Sequence, residues 1–124
     1  MTDFVRKLNH KCGRSVEVTI SPPIRQAGAS GDWECTYQIT GLGSAKAKIA
    51  MGVDGIQAVF LAMTYVATAL YFSDEYENGE LTWDGGMTVV DLGFPVTESV
   101  REDVEAKKVK VTEIIRTANE PTAR

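Results

Sequence analysis

The chain predicts an α+β domain: an antiparallel β-sheet of about five to six strands, one long apolar helix packed on one face, and a C-terminal helix. Three observations carry this. Segments such as WECTYQIT alternate apolar and polar residues with the period of a half-buried strand. Residues 54–74, DGIQAVFLAMTYVATALYFSD, hold no charged side chain between their two aspartates. Short runs of Gly, Pro, Asn and Asp punctuate the rest. No repeat or linker divides the chain, so residues 1–119 are expected to form one domain, with 120–124 a frayed tail.

Taken in order, FVRKLNHKCGRSVEVTI predicts two strands joined around residues 9–13, the second marked by Val16, Val18 and Ile20. SPPI stops the ladder because proline has no amide to donate, and RQAGASGD is expected as a surface loop. In WECTYQITGLG, Trp33, Cys35, Tyr37 and Ile39 share one face while Glu34, Thr36, Gln38 and Thr40 share the other. After the turn at 41–43, AKAKIAM places Ala45, Ala47, Ile49 and Met51 on the apolar face and Lys46 and Lys48 on the wet one, completing a hairpin.

Asp54 and Gln57 have capping-box spacing, so a helix is expected over 54–72. From Ile56, a stripe of Val59, Phe60, Met63, Val66, Ala67, Leu70 and Tyr71 is expected to meet the sheet. SDEYENGE follows as an acidic loop, then LTWDGGMTVVDLGFP as a second hairpin turning at 84–86. Thr97 can cap a C-terminal helix through Val100, Val104, Val111, Ile114 and Ile115, although VKVTEII fits a strand about as well.

Composition excludes several functions. A net charge of −4 over 124 residues, with Lys107, Lys108 and Lys110 interrupted by Val109, gives no track for phosphates, so no nucleic-acid partner is expected. The N-terminus lacks the apolar core of a secretory signal, which implies a cytoplasmic protein with Cys12 and Cys35 reduced. The uncharged helix has the length of a membrane span, but Asp54 precedes it and Asp74, Glu75 and Glu77 follow, leaving no Lys/Arg bias to orient it; no membrane insertion is expected.

The helix is apolar around most of its circumference, and a sheet hides only about half of it. Either the C-terminal helix or a second copy must cover the side formed by Ala58, Leu61, Ala62, Tyr65, Ala69 and Phe72. A homodimer through that side is the leading expectation, since Ala58, Ala62 and Ala69 permit close backbone approach. His10 and Cys12 share a strand face but lie at a turn without an orienting group, and one His with two separated Cys supplies no metal set. No catalytic residue, metal or cofactor is assigned. Asp91, directly after TVV and before a glycine turn, is expected to accept turn amides or contact a ligand. Trp33, Tyr37 and Trp83 complete the candidate binding residues.

The order WECTYQITGLG, GVDGIQAVFLAM, LTW and DLGFP resembles a small uncharacterised bacterial family known only as a domain of unknown function, over about residues 14 to 96. That resemblance implies the order of elements and a bacterial origin, and no mechanism. The resulting expectation is a non-enzymatic protein-interaction module that self-associates, with an unidentified protein partner or an immunity-like role as variants. The rival is a small-molecule binding protein or hydrolase with a pocket between helix and sheet.

Overall fold

Alternation is realised first in a hairpin. In the computed structural model, which describes residues 2–28 and 31–119, β1 (Phe4–His10) pairs antiparallel with β2 (Ser15–Ile20), Phe4 opposite Ile20 and Leu8 opposite Val16. The expected tail at 120–124 lies outside the described residues. β4 (Trp33–Thr40) bonds the end of β2 and the two-residue β3 (Ile24–Arg25) along one edge, and β5 (Lys48–Gly52) along the other. β3 is an addition to what was expected to be loop; it forms just past Pro23, where Ile24 and Arg25 pair with Glu34 and Trp33. After the helix α1 (Gly55–Tyr71), β6 (Leu81–Thr82) pairs with β1, giving six antiparallel strands.

Asp54 caps α1 as its spacing predicted: its carboxylate accepts the Gln57 amide at 2.8 Å, while the Gln57 side chain accepts the Val53 amide at 2.7 Å. The helix lies on β4 and β5, but turned about its axis from the expected orientation. Val66, Ala67, Leu70 and Tyr71 of the expected stripe are fully buried, but Ala58 and Ala62 join them there, whereas Val59 and Met63 sit at the margin and Phe60 is 44% exposed. Gly52 explains the rotation. A Cβ there would stand 2.5 Å from the Ala58 nitrogen, so the two backbones meet where neither carries bulk. Small residues that could have met a second copy meet the sheet instead.

The same approach corrects the phase of β5. Cys35 lies opposite Ala50 and Trp33 opposite Gly52, so Ala50 and Gly52 point to the helix, together with Lys48 opposite Tyr37. Ile49 and Met51 therefore face outward, 54% and 46% exposed. The alternation has the expected period and the opposite sense.

The second hairpin does not form. Only Leu81 and Thr82 are strand; the chain then runs through turns to residue 96, with one return bond from the Trp83 amide to the Val89 carbonyl. Inside the expected acidic loop a single helical turn, α2 (Asp74–Glu77), is capped by the Ser73 hydroxyl and buries Tyr76. Two tyrosines organise this region. Tyr76 meets Tyr71 edge to face at 5.0 Å, its hydroxyl donates to the Val90 carbonyl at 2.8 Å, and the Tyr71 hydroxyl accepts the Leu92 amide at 2.9 Å. The irregular segment 90–92 thus gains partners that a ladder would have supplied.

The alternative left open for the C-terminus resolves as helix: α3 (Arg101–Asn119) follows one 3-10 turn and buries Val104 and Val111. Thr97 precedes that turn, but its hydroxyl meets Ser99 rather than a backbone amide. Among the described residues no helix is long and apolar enough to cross a membrane.

Two measurements check this packing. Gly52→Ala should lower unfolding free energy by roughly 2–3 kcal/mol through overpacking, read as a shifted urea midpoint. Burial pushes the Tyr71 hydroxyl pKa up to about 12 and raises that of Tyr76 as well. A folded pKa above the unfolded value stabilises fully below the unfolded pKa of about 10 and is lost as pH climbs toward the folded one. Stability should therefore fall by roughly 1 kcal/mol per pH unit per tyrosine above about pH 10. Tyr71→Phe should lower stability at neutral pH, by orphaning the Leu92 amide, and should flatten that alkaline slope; an unchanged slope would refute the assignment.

Candidate functional site

The four candidate binding residues do not converge. Trp83 follows β6 at one edge of the sheet, while Trp33 and Tyr37 stand on β4, with β1 and β2 between them. Each has a separate environment. Trp33 sits at the start of β4, where Gly55 approaches both its ring and Pro23. Tyr37 faces Tyr65 of α1, ring centroids 6.0 Å apart, and burial raises its hydroxyl pKa.

Trp83 and Asp91 belong to a clamp built around Arg6, a residue the sequence reading passed over. Arg6 lies between Phe4 and Leu8 on the helix-facing side of β1, so alternation alone aims it inward. Its guanidinium stacks over Trp83 at 3.9 Å and Phe94 at 4.6 Å, and one nitrogen donates to the carbonyls of Leu92 (3.1 Å) and Gly93 (2.9 Å). Burial lowers the Arg6 pKa, opposed by the nearby Asp91 carboxylate. Gly93 has φ +76°, and any side chain there would fall on the Trp83 ring. Asp91 accepts the Gly93 amide at 3.0 Å, the turn role open to it from sequence, and lies 3.9 Å from the Lys108 ammonium. LTW and DLGFP thus meet in one place, and the meeting ties an irregular segment to β1.

His10 and Cys12 form no nucleophile–base pair. The imidazole Nδ1 accepts the Cys12 backbone amide at 3.1 Å, so the lone pair that would draw a thiol proton is engaged by the turn. Among the described residues no group of three or more His, Cys, Asp and Glu gathers as a metal set. Asp84 accepts from the Asn9 side-chain amide at 3.0 Å, anchoring its turn to β1.

Of the expected self-association residues, Ala58 and Ala62 are covered by the sheet. Leu61 is half-buried, and Tyr65, Ala69 and Phe72 are exposed, with the Lys107 ammonium 4.6 Å over the Phe72 ring. The most exposed apolar side chain of α1, Ile56, lies on a different stripe. Positions 56, 60, 64, 67 and 71 share one flank by helical spacing. Thr64, Ala67 and Tyr71 are buried, while Ile56 is 83% exposed and Phe60 44%. Beside the open half runs a mostly apolar groove of about 180 Å³ lined by Phe4, Ile20, Val59, Met63 and Phe94, with Arg6 in its wall. Along the opposite flank of α1, Tyr37, Tyr65, Lys46, Lys48 and Glu75 line a second groove of about 290 Å³.

Arg6→Met keeps an apolar stem over Trp83 but strips both donors from the 92–93 carbonyls. It should cost about 2 kcal/mol in urea unfolding; an unchanged midpoint would deny the clamp its structural role.

No curated protein and no solved structure matches the chain. A family profile described as a domain of unknown function, DUF6968, matches residues 4–96, taking in β1 upstream of the motifs and ending before α3. With well over half the chain inside that match, the protein belongs to the DUF6968 family.

Proposed function

We propose that the protein is a non-enzymatic interaction module that forms a homodimer through the open flank of α1. The observation that carries this is the half-covered stripe: Thr64, Ala67 and Tyr71 are buried within the chain, while Ile56 and Phe60, earlier on the same stripe, project beside an apolar groove. A ridge next to a groove on one surface is what a two-fold interface needs, because each copy supplies the ridge that fills the other's groove. α1 carries no charged side chain, and the one ion in the groove wall, Arg6, already donates to the Leu92 and Gly93 carbonyls. Two side chains that acid–base work could draw on are occupied locally, His10 by the Cys12 amide and Asp91 by the Gly93 amide, which favours binding over reaction. An exposed free thiol at Cys12 suits a reducing, cytoplasmic setting.

An immunity-like role draws less support, since three of the acidic side chains, Glu77, Glu98 and Glu113, are paired with Lys107, Arg101 and Arg116 respectively. Sedimentation equilibrium of the full chain should give twice the 13.5 kDa chain mass in the micromolar range. Ile56→Asp and Phe60→Ser should each restore the monomer mass with little change in thermal unfolding. A wild-type monomer at the highest concentration, or two variants that still dimerise, would refute the proposal.

A further inference from the structure

The groove on the other flank of α1 holds an exception to the rule that strands turn apolar residues inward. Register places Lys48 beside Tyr37 on the helix-facing side of the sheet while Ile49 and Met51 face water. Gly52 against Ala58 and Cys35 opposite Ala50 hold that register, so the lysine is aimed by the close approach of the β5 and α1 backbones. Departures of this kind, where local pattern and tertiary placement disagree, concentrate at functional sites. Here the departure opens onto a cavity of about 290 Å³ between α1 and β4, near the lower size of small-molecule pockets.

Its lining has two parts. Tyr37 and Tyr65 form an aromatic wall with Leu42 beside them, and Lys46 and Lys48 bring two ammonium groups. Neither lysine makes an ion pair among the described residues. The carboxylate in the lining, Glu75, lies 3.9 Å from Arg14. The turn carrying Lys46 is tied to β4 by the Gln38 side-chain amide, which donates to the Ala45 carbonyl. In an acidic protein this is a local cationic pocket with an aromatic wall.

We propose that this groove binds a small aromatic anion, its ring against Tyr37 and Tyr65 and its carboxylate or phosphate ester answered by Lys46 and Lys48. Ring burial supplies the non-directional part of binding, and two donors from one short segment select for charge. The site lies on the opposite flank of α1 from Ile56 and Phe60, so it does not depend on dimerisation.

Amide chemical shifts of the full chain test it with four probes: indole-3-acetate, its neutral isostere indole-3-ethanol, phenyl phosphate and inorganic phosphate. Saturable shifts confined to amides of 37–48 and 65–75 are expected with indole-3-acetate, phenyl phosphate or both, and the stronger of the two identifies the anion. The neutral alcohol and inorganic phosphate should each bind at least about tenfold more weakly. The Lys46→Gln/Lys48→Gln double variant should lose about tenfold in affinity with an otherwise unchanged spectrum, and Tyr65→Ala should abolish saturation. Ile56→Asp should bind as wild type does, which separates failure here from failure of the dimer. Equal affinity for the neutral alcohol, shifts centred on the Phe4–Phe94 groove, or no saturable shift with either aromatic anion would overturn the proposal.

Discussion

The fold depends on how closely α1 approaches the sheet. At Gly52 and Ala58 the backbones of β5 and α1 meet with no side chain larger than a methyl between them, and Ala50 and Ala62 are buried nearby. That approach fixes three things at once. It sets the rotation of α1, sending Ala58, Ala62, Val66 and Leu70 inward and leaving Ile56 and Phe60 in water. It also sets the phase of β5, since Gly52 must face the helix and Ala50 and Lys48 follow by alternation. The two grooves beside α1 are consequences: large side chains at the margins of the contact, not at its centre, leave the space between helix and sheet partly unfilled.

The second organising device replaces a missing strand. Residues 83–96 form no ladder, yet Val90 and Leu92 are in the core, and their backbone groups need partners there. Tyr76, Tyr71 and Arg6 provide them, from three different elements. Side chains of this kind reach a carbonyl or amide without imposing strand geometry, which frees the segment to bend over the helix. The aromatic faces of Trp83 and Phe94 then shelter the guanidinium that makes the last of these bonds.

How much of this was legible depended on how local the cause was. β1, β2, β4 and the start of α1 follow from alternation and a capping pair, interactions spanning a few residues, and they form where expected. The phase of β5 was not legible, because AKAKIAM favours the sense that keeps its lysines in water, and only Ala58, across space, reverses it. The supposed second hairpin failed for a similar reason: TVV has strand propensity, but its neighbours in the fold are hydroxyls and a guanidinium, not a strand edge. Among functional candidates, Trp83 was marked by residue type and Asp91 by its place between TVV and a glycine turn; both proved to lie around Arg6, whose place between Phe4 and Leu8 was the available clue. Tyr37 was marked for the same chemical reason, while its partners Tyr65, Lys46 and Lys48 depend on the rotation of α1 and the phase of β5.

The family match ends at residue 96, yet the core does not. Val104 and Val111 of α3 are buried in the same cluster as Val66, Leu70 and Tyr71, and Lys107 and Lys108 lay their ammonium groups over Phe72 and Tyr71. The matched segment supplies the sheet, α1 and the Arg6 clamp, while a helix outside it helps to enclose the C-terminal half of α1. That division explains why one stripe of α1 is closed at Tyr71 and open at Ile56: the covering elements, residues 90–92 and α3, reach only its later turns. The uncovered turns are the same ones that rest on Gly52, so the part of the helix fixed most firmly to the sheet is also the part that presents an apolar edge to the outside. A surface held that rigidly loses little conformational freedom on association, and this is the physical reason to look for the partner there.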